Sequence, residues 1–224
     1  MIHRLIYNPN DYVIFVASSG RLKKRIKKLK RNKIFNEVYY IEDKKIVDKF
    51  INKAIAEATS NNEIESISKE FANRYEKILP FDIKRISELF ILADHGALGL
   101  YLLIKKHKYI YIEDARGMYS KWEILDRIIK EKDPGMHTLS LYYNAYGRND
   151  LIVRKYISFN SQLKTCDFKN CVDFDINNLI DLLDDKELKK ILKVFKTKKL
   201  KTVSQEKNAL VLTQRFQTYK LLSR

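Results

Sequence analysis

The chain has two cysteines, three prolines, six glycines and one tryptophan in 224 residues. Cys166 and Cys171 stand five apart in a polar stretch with no histidine beside them, so neither a disulfide framework nor a zinc site is expected. So little proline and glycine excludes a collagen-like or linker-rich protein. No apolar run approaches the roughly 20 residues that a bilayer-spanning helix needs. The opening MIHRLIYNPNDY lacks the apolar stretch and small-residue cleavage site of a secretory signal, so a cytoplasmic protein is expected. No internal repeat is found.

What is present is globular in character. Hydrophobic residues make up 45% and charged residues 32%, and the length suits one large domain, or one domain with an appendage. The net charge of +16 raises the question of a polyanionic partner. Lysine is spread along the whole chain beside abundant isoleucine and asparagine, a pattern that AT-rich coding produces without selection for charge. The densest run, RLKKRIKKLKRNK from Arg21 to Lys33, carries Leu22, Ile26 and Leu29 at helical spacing. It reads as an amphipathic helix with a solvated basic face. An anionic membrane leaflet attracts such a face by about 1 kcal/mol per charge. No nucleic-acid motif accompanies the charge, so no nucleic-acid partner is expected.

Tyr12–Ser19 (YVIFVASS) is an almost continuous apolar run of strand length, which predicts a strand covered on both faces, as in a parallel sheet. The basic helix follows, and Asn36–Glu42 (NEVYYIE) gives a second strand, completing a βαβ unit. Ile46, Val47, Phe50, Ile51, Ala54 and Ile55 form a helical stripe. After a polar break at TSNNE, a further helix is predicted from Ile64 to Ile78. Glu88–Asp94 and Tyr109–Asp114 read as buried strands flanking a short helix from Ala97. A helix after Trp122 is expected to stop at the turn residues Asp133–Gly135. Strand or extended edge is expected around Asn144–Asp150. Helices are expected at Ile176–Leu183 and Lys186–Lys196, and a late strand at Asn208–Phe216. The alternation predicts an α/β fold, Rossmann-like and doubly wound around a mainly parallel sheet. Residues 1–204 form the main domain, and 205–224 the start of a second domain or an appendage.

In such sheets ligands bind beyond the carboxyl ends of the strands, which selects three loops. Ser18, Ser19 and Gly20 follow the first strand, where small residues admit a ligand to the backbone or make a tight turn; the GxGxxG and GxxxxGK fingerprints are absent. Asp94, His95 and Gly96 open DHGALG, where the acid and imidazole contact a substrate or the acid caps the next helix. Glu113 and Asp114 end a hydrophobic strand, followed by Arg116, Gly117 and Tyr119 in EDARGMYS. Burial beside a second carboxylate raises one carboxyl pKa towards that of a usable base, while Arg116 opposes the shift.

EDARGMYS resembles the acidic-Gly-Tyr segment of bacterial surface-glycan glycosyltransferases, the sialyltransferase and polysialyltransferase class that includes glycosyltransferase family 52. ALVLTQ, from Ala209, resembles the strand that opens their second domain. The resemblance implies a GT-B arrangement of two Rossmann-like domains, with this chain as the N-terminal, acceptor-side half. It implies a carboxylate acting as base towards an acceptor hydroxyl, here Asp114 with Glu113 as alternate. The substrates would be a nucleotide sugar such as a CMP-sugar and a glycan acceptor, in capsule or lipooligosaccharide synthesis, with no metal and no cofactor. The family's acidic-acidic-Gly is interrupted here by Ala115 and Arg116, and its His-Pro motif is absent, so most of the donor site is expected to be missing. Ser18–Gly20, Asp94–Gly96, Arg116, Gly117 and Tyr119 are the expected substrate contacts. Location at the inner face of the membrane fits this role. The alternative from the residues alone is a non-catalytic basic module that binds an acidic glycan or a membrane surface.

Overall fold

The structure, a computed structural model, describes residues 13–17, 23–32, 35, 37–43, 49–92, 94–112, 127, 130–131, 133–157, 170–173 and 184–195. Strand β1 (Val13–Ala17) runs parallel to β2 (Glu37–Ile41), with helix α1 (Lys23–Arg31) between them, as the apolar runs predicted. Helices α2 (Lys49–Glu57) and α3 (Asn61–Glu76) follow, then a short 3-10 turn at Ile83–Arg85. Strand β3 (Phe90–Ile91), helix α4 (Ala97–Ile104), β4 (Tyr109–Ile112), α5 (Pro134–Tyr142), β5 (Ile152–Ile157), β6 (Cys171–Asp173) and α6 (Asp185–Phe195) complete the described elements. β3, β4, β5 and β6 form one sheet in that order, and every neighbouring pair is parallel. The chain is therefore an α/β protein with a four-stranded parallel sheet.

Residue alternation explains how the sheet is covered. Tyr109 and Tyr111 of β4 point into a core with Ile51 and Ile55 of α2, Phe71 and Tyr75 of α3, Leu100 of α4 and Leu139 of α5. The intervening Ile110 and Ile112 join Tyr156 of β5 and Phe90 in a second cluster. Successive strand residues face opposite ways, so both faces of β4 are apolar, as a parallel strand requires. Helix α4, ALGLYLLI, is apolar all round, and its Leu100, Tyr101, Leu102 and Leu103 are buried.

Two helix starts show how local chemistry fixes these boundaries. The polar break before α3 is its cap: Ser60 Oγ accepts from the Glu63 N–H at 3.3 Å, and the Glu63 carboxylate accepts from the Thr59 N–H at 2.8 Å. The Asp133–Gly135 turn, expected to stop a helix, follows helical residues Lys130 and Glu131 and also starts α5, because Pro134 occupies the first helical position where no N–H is needed. Asp133 makes no side-chain cap bond of its own. Asn52 of α2 supplies the cap, its Oδ1 accepting from the N–H groups of Gly135 at 2.6 Å and Met136 at 3.3 Å. Gly135 is required there, since a Cβ would overlap the Asn52 carbonyl. Asn52→Ala is expected to cost about 1.5 kcal/mol in urea unfolding, the upper part of the range for lost caps, and Asp133→Ala clearly less.

Further departures from the sequence pattern are local. β3 covers only Phe90–Ile91 of the run expected to extend from Glu88 to Asp94. Asn144–Asp150 is a turn rather than an edge strand, with positive φ at Asn144 (49°), Tyr146 (65°) and Gly147 (74°), and the strand begins at Ile152. α6 matches the helix expected at Lys186–Lys196. The expected helix at Ile176–Leu183, the late strand at Asn208–Phe216 and the boundary at 204/205 lie outside the described residues. Among the described residues no helix is long and apolar enough to cross a membrane.

Candidate functional site

The loop from β3 to α4 carries Asp94, His95 and Gly96 away from the carboxyl end of a parallel strand. Asp94 is fully buried. Its Oδ1 accepts from the Tyr146 N–H at 2.7 Å, and its Oδ2 accepts from the Gly147 N–H at 2.8 Å and the Tyr109 hydroxyl at 2.8 Å. One carboxylate thus joins three segments: the β3–α4 loop, the start of β4 and the turn before β5. It also holds Tyr146 and Gly147 in the left-handed region, which a bulky residue such as Tyr146 enters only when its surroundings impose it. Burial pushes the Asp94 carboxyl above its usual pKa, while the Gly147 N–H, the Tyr109 hydroxyl, the Tyr146 N–H and His95 pull it back down. The same burial, with the negative charge of Asp94 beside it, drives the Tyr109 hydroxyl far above the ordinary tyrosine value, so it stays protonated and donates.

Asp94 does not cap α4. The cap position is Gly96, which has no side chain to offer, and the Asp94 oxygens face the other way. Helix α4 instead lies so close to the Asp94 backbone that a Cβ on Gly99 would overlap the Asp94 Cα and carbonyl. His95 is half-buried, its ring stacked on Tyr146 with centroids 4.9 Å apart and planes 14° from parallel. The turn that Asp94 fixes is therefore also the platform under the imidazole.

Of the residues selected from the sequence, Asp94, His95 and Gly96 are brought together as one unit with Tyr109, Tyr146 and Gly147. Ser18, Ser19, Gly20, Glu113, Asp114, Arg116, Gly117 and Tyr119 lie outside the described residues. Tyr146 and Gly147 were missed by sequence reasoning. NAYGRND, Asn144–Asp150, was expected to be strand or extended edge, and no local pattern ties it to an acid 52 residues earlier.

Apart from this junction, a concavity of about 440 Å³ is lined by Glu76, Phe81, Asp82, Lys84 and Tyr101, among others. It lies towards the carboxyl end of α4, and hence near the amino edge of the sheet, opposite the predicted ligand edge. Lys105 bridges to Glu76 at 2.7 Å and holds that carboxyl below its usual range. Burial pushes the Tyr101 hydroxyl up to about 12, with Glu76 and Asp82 adding to the shift. Near neutral pH these two groups hold fixed protonation states, so they offer hydrogen bonds rather than proton transfer. Among the described residues no group of acidic, histidine or cysteine side chains is arranged to hold a metal ion.

Compared with protein-family models, with curated proteins and with solved structures, the chain matches none.

Proposed function

We propose that this chain is the acceptor-side domain of a glycosyltransferase, transferring a sugar from a nucleotide donor to a glycan hydroxyl, on a doubly wound Rossmann-like sheet. The observation that carries the reading is the parallel pairing of β3 with β4, in which Ile91 lies opposite Tyr111. Parallel neighbours end at the same edge of a sheet, so β3, which leads into DHGALG, and β4, which EDARGMYS follows in sequence, have their carboxyl ends together. In this reading Asp114 takes the proton of the acceptor hydroxyl as its oxygen attacks the anomeric carbon. The bond to the nucleotide phosphate breaks, and the nucleotide leaves with the electron pair. Glu113 is the alternate base, and His95, on its Tyr146 platform, contacts substrate from the neighbouring loop.

The test is nucleotide release from a panel of CMP- and UDP-sugars with oligosaccharide acceptors, using the protein that carries this chain. Asp114→Asn is expected to lower turnover by at least about a hundredfold, the lower end for a lost general base, with an unchanged melting temperature. Unchanged turnover would overturn the assignment of the base. Absence of turnover from every donor would overturn the transferase reading.

A further inference from the structure

We propose that helices α1 and α6, which are far apart in the chain, together form one docking face for an anionic lipid bilayer. Helix α1 carries seven Lys and Arg residues and no acid, and α6 carries four lysines against two acids. The fold sets them in contact: Lys28 Nζ donates to the Lys193 carbonyl at 3.1 Å, across 165 residues of sequence. That carbonyl lies in the last turn of α6, where backbone acceptors lack helical partners and the helix dipole is negative, so an ammonium group is a suitable clamp.

The clamp merges two basic surfaces into one. Ile26 of α1 is buried and Leu29 half-buried, while Lys27, Lys30 and Arg31 are exposed; on α6, Lys189, Lys190 and Lys193 are exposed. Gathering like charges is unfavourable for the isolated chain, and an anionic surface relieves it. Among the described residues the ion pairs Lys53–Glu57, Arg74–Glu70, Arg85–Asp82 and Lys105–Glu76 lie on other elements and neutralise none of these six cations.

The chemistry favours a bilayer over a nucleic acid. Nine of the eleven cations on the two helices are lysines, compact point charges without the fork that arginine uses to grip phosphates and bases. α1 has no aromatic residue and α6 has one, Phe195 at its end, so neither offers the repeated stacking platforms that single strands use.

The test is flotation of the full chain with phosphatidylcholine vesicles, with and without about 30% phosphatidylglycerol, at roughly physiological salt and above it. Binding is expected only to the anionic vesicles and is expected to weaken as salt rises. The triple variant Lys189→Gln, Lys190→Gln, Lys193→Gln should lower partitioning roughly a hundredfold, at about fivefold per charge, and so should Lys27→Gln, Lys30→Gln, Arg31→Gln. All six side chains are exposed, so circular dichroism should be unchanged. Equal binding to uncharged vesicles would overturn the proposal, as would an α6 triple that binds like the wild type. Tighter retention by a short single-stranded DNA or a soluble anionic polysaccharide would also overturn it. None of these readouts depends on turnover, so the proposal stands or falls separately from the transferase reading.

Discussion

Replacing Asp94 by alanine is expected to lower the unfolding free energy by about 4 kcal/mol, enough to remove a large share of the stability of an ordinary domain. The side chain accepts three buried hydrogen bonds, and its loss strands the Tyr146 and Gly147 N–H groups and the Tyr109 hydroxyl. Each stranded donor costs roughly 1–3 kcal/mol. Asp94→Asn keeps the shape but turns an NH2 towards one of those donors, so an intermediate loss is expected. Because burial raises the Asp94 pKa, the folded chain binds this proton more readily than the unfolded chain. The group's contribution is then greatest at low pH and declines as pH rises from the ordinary carboxylate range through the raised value. Urea titrations across that range should show the stability difference between the wild type and Asp94→Asn falling as pH rises. A loss below about 1 kcal/mol in Asp94→Ala would show that the carboxylate does not hold the junction together.

Gly99→Ala is expected to destabilise by about 3 kcal/mol, against what helix propensity alone says. In an open helix the change from glycine to alanine gains about 1 kcal/mol. Here the new methyl would overlap the Asp94 backbone, which has no flexible end to swing aside. Either α4 moves off the sheet or the β3–α4 loop distorts, and the packing loss exceeds the propensity gain. The melting temperature should fall; a rise would mean that α4 is not seated against that loop.

The apolar runs of β1, β2 and β4 were legible because each is fully expressed in consecutive residues, and α3 because its buried Phe71, Ala72 and Tyr75 keep helical spacing. Less of the middle of the chain was legible. In β5, IVRKYI places Arg154 and Lys155 between apolar residues, and Lys155 is nonetheless buried, so the strand does not alternate cleanly. Helix α5 begins at a turn sequence because its cap comes from another element, and no window around Asp133 contains Asn52. The loop holding Asp94, His95 and Gly96 was located from the end of its strand, and the partners that define Asp94 were not. Hydrogen bonds between residues some 50 positions apart leave no periodic trace in a sequence.

The borrowed cap also bears on the order in which the protein assembles. A helix whose first turn is completed by a neighbour cannot nucleate firmly alone, so α5 should gain its hydrogen-bonded ladder only once α2 is in place. The two would then act as a single cooperative unit, their amides becoming protected from solvent exchange together although some 80 residues separate them along the chain.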